Sequence, residues 1–216
     1  MSGLPDDCFV YYEPLIDGRH PDFVVILPQL GILVIEVKGW FAKQLRHLEE
    51  DTVTLVDRND RIVREKPPEK QVRDYLFSLM RIASEHRWAS RLLNQDGRHQ
   101  GKFRFPFAPL VVLSNISASS LQDNGIDQAD WERLFPSART LTRDQITSME
   151  NLRGVGLVNA LRPYIHPSWS FAPLGKEEVK ALRAIVHPEI LLGDQVSIQN
   201  LESVPKGALQ NNLIKY

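Results

Sequence analysis

The sequence contains almost no cysteine: Cys8 is the only one among 216 residues. One cysteine excludes an internal disulfide and a cysteine-rich zinc site, and it is typical of a reducing compartment. No apolar run approaches the about 20 residues that a membrane-spanning helix needs. Residues 1–7 have neither the basic nor the apolar region of a secretory signal. We therefore expect a cytoplasmic protein that has no contact with a membrane.

A strong charge of one sign is also missing, because the formal net charge is −1. Composition alone therefore does not indicate nucleic-acid binding. The charge is uneven, however, since residues 58–104 hold twelve Lys or Arg but only six Asp or Glu. A basic segment in an otherwise acidic chain is compatible with a site for phosphate and a cation, and equally with a solvated helix face. The chain lacks the G-x-x-x-x-G-K-[ST] pattern and so has no P-loop of an ATPase.

What the chain does contain is a pair of apolar runs within residues 20–40. The runs 23–27 and 32–37 are separated by a short connection, Pro-Gln-Leu-Gly. Continuous apolar runs of this length, bounded by turn residues, predict a hairpin of two strands that are buried on both faces.

Three charges interrupt this predicted hairpin. If Leu27 lies opposite Gly31, Asp22 lies opposite Glu36, and Lys38 shares their face because alternate residues of a strand point the same way. An unpaired buried carboxylate costs several kcal/mol. The pattern therefore indicates either a metal site or a buried ion network.

The next segments predict a βαβ arrangement. Residues 53–56 and 62–63 flank a turn and indicate a second hairpin. An amphipathic helix is expected from about 68 to 93, and a third buried strand at 109–113, parallel to one member of the first hairpin.

The last third of the sequence is predicted to be mainly helical. Asp127 or Asp130 can cap a short helix, and Thr142 with Gln145 matches a capping box. We expect the helix capped by Asp127 or Asp130 to run through residue 135 and the helix after Thr142 to end at about 149. Two further helices are expected at 152–162 and 176–186.

Oxygen ligands at the charged end of the first hairpin suit a hard divalent cation. Asp22 and Glu36 would supply side-chain oxygens, and the Val37 carbonyl lies between Glu36 and Lys38. A lysine beside the ion can orient water or meet phosphate charge.

These residues carry a family resemblance. Pro21-Asp22, thirteen intervening residues and then Glu36-Val37-Lys38 resemble the PD-(D/E)XK nuclease signature. Gln71-Val-Arg-Asp-Tyr75 resembles the Gln-hydrophobic-X-X-Tyr motif of RecB-type members. The wider run resembles the NERD (nuclease-related) domain, best over roughly residues 9–115. Leu-Thr-Arg-Asp-Gln and Leu-Arg-Ala-Ile-Val-His-Pro-Glu, later in the chain, are similar to the region that joins this domain to a UvrD-like helicase.

The resemblance implies an α/β fold with a restriction-endonuclease-like mixed β-sheet core flanked by helices. It places this nuclease-like core at residues 1–120 and a mainly helical extension, or a linker towards a helicase, at 121–216. It also implies a Mg²⁺ or Mn²⁺ site and cleavage of DNA. The alternative is a non-catalytic module that binds DNA and targets a helicase in the same full-length protein.

Residue by residue, the resemblance makes Asp22 and Glu36 metal ligands and counts Lys38 and Gln71 with them as catalytic residues. Tyr75 would support the helix or contact nucleic acid. Many relatives carry a further carboxylate on a helix before the first strand. Glu13 is a candidate replacement, although a surface role at a strand end is the simpler interpretation.

A basic and aromatic stretch is a candidate DNA-binding segment. Arg98, Lys102 and Arg104 interleave there with Phe103 and Phe105. Single-strand-binding proteins combine cations and aromatic rings in this way. The same pattern fits an edge strand whose phenylalanines face the core.

Overall fold

The computed structural model describes residues 3–165 and 171–187. Within them the chain forms a mixed five-stranded sheet, a separate three-stranded sheet and helices, which confirms the predicted mixed α/β class. The strands are Phe9–Tyr12 (β1), Phe23–Leu27 (β2), Gly31–Lys38 (β3), Leu45–Leu48 (β4), Val53–Val56 (β5), Ile62–Glu65 (β6), Phe107–Leu113 (β7) and Thr140–Thr142 (β8). The helices are Pro68–Glu85 (α1), Ala118–Asp123 (α2), Gln128–Leu134 (α3), Arg143–Met149 (α4), Val155–Leu161 (α5) and Lys176–Val186 (α6).

The larger sheet has the order β1-β2-β3-β7-β8. β1, β2 and β3 are antiparallel neighbours, whereas β3, β7 and β8 run parallel. Leu27 pairs with Gly31, which confirms the predicted register of the hairpin. The parallel pairing of β7 with β3 also confirms the predicted crossover, and β4, β5, β6 and α1 all lie within it.

Gly31 closes one end of this sheet. Its φ of +118° lies in a region that favours glycine, and a Cβ there would stand 1.9 Å from the Pro106 carbonyl oxygen. The Ile32 N–H donates to the same oxygen at 3.1 Å. The hairpin loop and the start of β7 are therefore packed backbone against backbone.

α1 packs across β3 and β7 through the apolar stripe that its sequence predicts. The helix ends at Glu85, so the expected extension to residue 93 is wrong. His86 is extended, with φ −115° and ψ 117°, and a 3-10 turn at Ser90–Leu92 follows. This break allows the apolar residues after the helix to enter the same core as α1: Ala89, Leu92 and Leu93.

Segments after residue 120 join the same body. Asp127 caps α3, and Thr142 with Gln145 forms the expected capping box at α4. β8 was not predicted, because three residues are too few to show a period, yet it pairs with β7 and extends the sheet. α6 packs on the core beneath α1, as its pattern of buried residues requires.

The boundary at residue 120 stays a prediction, since residues on both sides of it share hydrophobic clusters. The helix expected at 152–162 is shorter, Val155–Leu161. The predicted tail, 194–216, lies outside the described residues. Among the helices of the described ranges, none combines the length and apolar character required to cross a membrane.

Candidate functional site

Asp22 and Glu36 meet where β2 begins and β3 ends. Asp22 immediately precedes β2. The β2–β3 register pairs Phe23 with Ile35, and extending it by one residue places Asp22 opposite Glu36. The Val37 N–H donates to Asp22 Oδ2 at 2.6 Å. This hydrogen bond fixes the Asp22 carboxylate against the edge of β3.

The Val37 carbonyl faces the same side of β3 as Asp22. The N–H and C=O of one strand residue point to the same neighbouring strand, and successive residues alternate. The Lys38 carbonyl accepts from Ser114 N–H at 3.1 Å on the β7 side. Val37 therefore presents its carbonyl to the β2 side, where Asp22 lies.

Glu36 is buried, with 5% of the residue exposed. Its Oε1 accepts a hydrogen bond from Lys38 Nζ at 2.9 Å, whereas its buried Oε2 has no hydrogen-bond partner among the described residues. Burial raises the pKa of Glu36, the negative charge of Asp22 raises it further, and Lys38 and Gln71 oppose the rise. A buried carboxylate oxygen without a partner is energetically costly, and a hard cation would satisfy it. The residues present at this position thus fit a Mg²⁺ or Mn²⁺ ion.

Lys38 lies at the centre of the polar side chains. In addition to Glu36, its Nζ lies 3.5 Å from Gln71 Oε1 and 4.0 Å from Glu65 Oε2. Its ammonium also stands 5.8 Å from the centre of the Trp40 ring. The ammonium is therefore held by groups from the main sheet, from α1 and from the three-stranded sheet.

Sequence reasoning missed Glu65. It is the last residue of β6, a strand that alternates between exposed and half-buried positions. Such alternation is typical of an ordinary surface strand, so no local signal marks the residue. Only the tertiary structure brings its carboxylate to within 4.0 Å of Lys38 Nζ.

Gln71 and Tyr75 come from the first turns of α1 and form a short chain of hydrogen bonds. Gln71 Nε2 donates to Tyr75 Oη at 3.2 Å, and Tyr75 Oη donates to the His20 carbonyl at 3.3 Å. Only 3% of Tyr75 is exposed. Its burial favours the supporting role over direct contact with nucleic acid.

Glu13 supports Asp22 through its backbone. Its N–H donates to the Asp22 carbonyl at 2.9 Å, and its φ is +46°. Its carboxylate engages the Tyr12 hydroxyl and raises the pKa of that phenol. The described residues contain no group of three or more His, Cys, Asp or Glu side chains placed to share a metal ion. The role of Glu13 as a third carboxylate stays a prediction.

The structure does not bring the candidate DNA-binding residues Arg98, Lys102 and Arg104 to this site. They precede β7, whose start contacts Gly31, and β3 then runs about 23 Å to the end that holds the predicted catalytic residues. Arg104 pairs with Glu178 of α6.

The two phenylalanines of that segment are core residues. Phe103 and Phe105 are each only 1% exposed, stack on each other and lie in the cluster beneath α1. The phenylalanines therefore face the core, but the segment has only an isolated bridge, between Leu93 and Phe103, and forms no edge strand. A DNA-binding role for the cations of this segment stays a prediction.

No protein-family model, no curated protein and no solved structure matches this chain.

Proposed function

We propose that this chain is a nuclease-like domain of the NERD type, with a restriction-endonuclease-like core, that hydrolyses DNA phosphodiester bonds with Mg²⁺ or Mn²⁺ in DNA processing or repair. The observation that carries the proposal is the buried Oε2 of Glu36, which has no hydrogen-bond partner among the described residues, on a carboxylate close enough to Asp22 to sense its charge. A buried ion network alone would leave this oxygen unsatisfied.

Three oxygens would hold the ion: one oxygen of the Asp22 carboxylate, Oε2 of Glu36 and the carbonyl oxygen of Val37. When bound, a hard divalent ion polarises the phosphate and activates the attacking water. Lys38, which Glu36 and Gln71 hold in place, meets the negative charge of the phosphate and orients the water. Tyr75 positions Gln71 and takes no part in the reaction itself.

Cleavage of labelled DNA in Mn²⁺ or Mg²⁺ tests the proposal. We expect the wild type to cleave, and Glu36→Gln and Lys38→Met to lose about 100-fold or more of the rate. Glu178→Gln and Lys180→Met are the matched controls, since Glu178 is a half-buried, paired carboxylate and Lys180 an exposed lysine, both on α6. Equal cleavage by wild type and Glu36→Gln at equal purity would contradict the mechanism.

A second candidate is a DNA-binding module without catalytic activity that serves a UvrD-like helicase region. The observation in its favour is that the described residues offer no third carboxylate to the ion. This candidate predicts salt-dependent DNA binding and no cleavage with any divalent metal. The cleavage assay separates the two candidates directly.

A further inference from the structure

A groove of about 470 Å³ opens on the three-stranded sheet, close in the chain to Lys38. Its lining includes one exposed aromatic ring, three cations and two carboxylates: Phe41, Lys43, Arg46, Arg58, Asp57 and Asp60. We propose that this groove binds an unpaired DNA strand and leads it to the site of Glu36 and Lys38. The inference rests on the proposed function and identifies its substrate as single-stranded DNA.

Two of the groove's cations are oriented by their neighbours. Arg46 Nη1 donates to the carbonyls of Lys43, at 2.7 Å, and Leu45, at 3.1 Å. The Lys43 ammonium stands 6.0 Å from the centre of the Phe41 ring. A cation whose position is already set loses little freedom when it meets a phosphate.

The carboxylates of the groove do not cancel this positive charge. Asp57 accepts hydrogen bonds from the N–H groups of Asn59, at 2.7 Å, and Arg61, at 3.0 Å, and its Oδ2 pairs with the Arg61 guanidinium at 2.9 Å. These contacts lower the pKa of Asp57. The negative charge of Asp57 is thus balanced within its own turn, by Arg61 and the backbone N–H groups. Asp60 is then the one remaining carboxylate of the groove lining, beside three cations. The groove therefore suits a polyanion.

Phe41 distinguishes an unpaired strand from a duplex. The residue is 43% exposed, yet its backbone is fixed, because its N–H donates to Gln44 Oε1 at 2.9 Å and Gln44 Nε2 donates to the Val56 carbonyl at 3.1 Å. An exposed ring on a fixed backbone is a platform on which a base can stack. Bases within a duplex are already stacked on each other, so only an unpaired base can use it.

The groove is close enough to serve the proposed site. Phe41 follows Lys38 by three residues, so their Cα atoms are at most about 11 Å apart. Trp40, between them, packs beneath the Lys38 ammonium. A strand whose base stacks on Phe41 therefore lies within a few nucleotides of Lys38.

Fluorescence anisotropy of a short labelled oligothymidylate tests the inference with the full chain in EDTA, where metal-dependent cleavage is absent. We expect Phe41→Ala to weaken binding by about 5- to 100-fold, and Phe41→Tyr to retain it. Lys43→Ala, Arg46→Ala and Arg58→Ala should each reduce the slope of log affinity against log salt by about 0.7.

Phe77→Ala and Arg153→Ala are the matched controls for Phe41→Ala and Arg46→Ala, and both should bind like the wild type. Phe77 is another exposed phenylalanine, at 54%, and Arg153 Nη1 donates to two backbone carbonyls as Arg46 does. The inference is overturned if Phe77→Ala weakens binding as much as Phe41→Ala. Equal affinity for a duplex of the same length, or tighter binding of the equivalent RNA, overturns it as well.

The inference and the proposed function fail in different ways. If the wild type binds the oligonucleotide through Phe41 but cleaves no DNA in Mn²⁺, DNA binding by the groove is confirmed and the nuclease proposal is contradicted. If the wild type cleaves DNA and Phe41→Ala binds the oligonucleotide as well as the wild type does, DNA binding by the groove is contradicted and the nuclease proposal is supported.

Discussion

Glu36 Oε1 lies 2.9 Å from Lys38 Nζ, whereas Oε2 of the same carboxylate is buried without a hydrogen-bond partner in the described ranges. The ion pair therefore accounts for only one of the two oxygens. Burial raises the pKa of Glu36, and the nearby charge of Asp22 contributes to the rise. This asymmetry supports the proposed metal site over a closed ion pair, and each of the two alternatives makes testable predictions.

Glu36→Gln should abolish stabilisation by metal. At a Mn²⁺ concentration about 100-fold above the dissociation constant, we expect the Tm of the wild type to rise by about 5–10 °C. Glu36→Gln should show no such rise, because a neutral amide is a poor ligand for a hard cation. Thermal-shift measurements check this, with Glu178→Gln as the control that retains the full response. An equal rise in Tm for the wild type and Glu36→Gln would show that the ion binds at a position that does not involve Glu36.

Asp22→Ala and Asp22→Asn should differ in stability but not in metal response. Alanine leaves the Val37 N–H without its acceptor, at a cost of about 1–3 kcal/mol in the free energy of unfolding. Asparagine keeps an acceptor oxygen, so we expect a cost below about 1 kcal/mol. Urea denaturation measures this difference, and both variants should lose the Mn²⁺-dependent rise in Tm. A large loss of stability in Asp22→Asn would show that the charge, rather than the acceptor, stabilises the fold.

Tyr75→Phe should loosen Gln71 without unfolding the protein. It removes the hydroxyl that joins Gln71 Nε2 to the His20 carbonyl, and we expect about 1 kcal/mol of destabilisation in urea. The cleavage rate should fall more than DNA binding does, because the hydroxyl acts through Gln71 on Lys38. A proportional loss of binding would instead support direct contact between Tyr75 and the nucleic acid.

The metal-free protein should lose stability relative to Glu36→Gln as the pH rises. Burial raises the pKa of Glu36 above its ordinary value of 4.5, so the folded state holds this proton more tightly than the unfolded state. That contribution is complete below pH 4.5 and disappears as the pH passes through the raised pKa. Urea denaturation at several pH values up to neutrality, in EDTA, measures the difference between wild type and variant. A difference that is independent of pH contradicts the expectation.

Gly31→Ala should destabilise the fold far more than Gly125→Ala. Both glycines have positive φ, +118° and +63°, but only at Gly31 would the new Cβ collide with backbone, the Pro106 carbonyl. We expect more than about 3 kcal/mol for Gly31→Ala and about 1–2 kcal/mol for Gly125→Ala. Chemical denaturation of the two variants gives the comparison, and equal costs would show that the packing at Pro106 relaxes.

The sequence by itself determined the parts of the site that lie close together along the chain. The apolar runs and the short connection between them were enough to predict β2, β3 and the Leu27–Gly31 register, and with it the opposition of Asp22 and Glu36. The apolar stripe of α1 was likewise sufficient to predict the buried face that carries Tyr75.

Only the tertiary structure decided which distant segments meet at Lys38. Periodicity reports whether a residue is buried, but not which segment covers it. Glu65, the last residue of β6, comes within 4.0 Å of Lys38. Arg104 lies towards the opposite end of β3 because the crossover enters β7 beside Gly31. The path of the backbone between strands sets these distances, and that path follows from the packing of the whole core rather than from any local pattern.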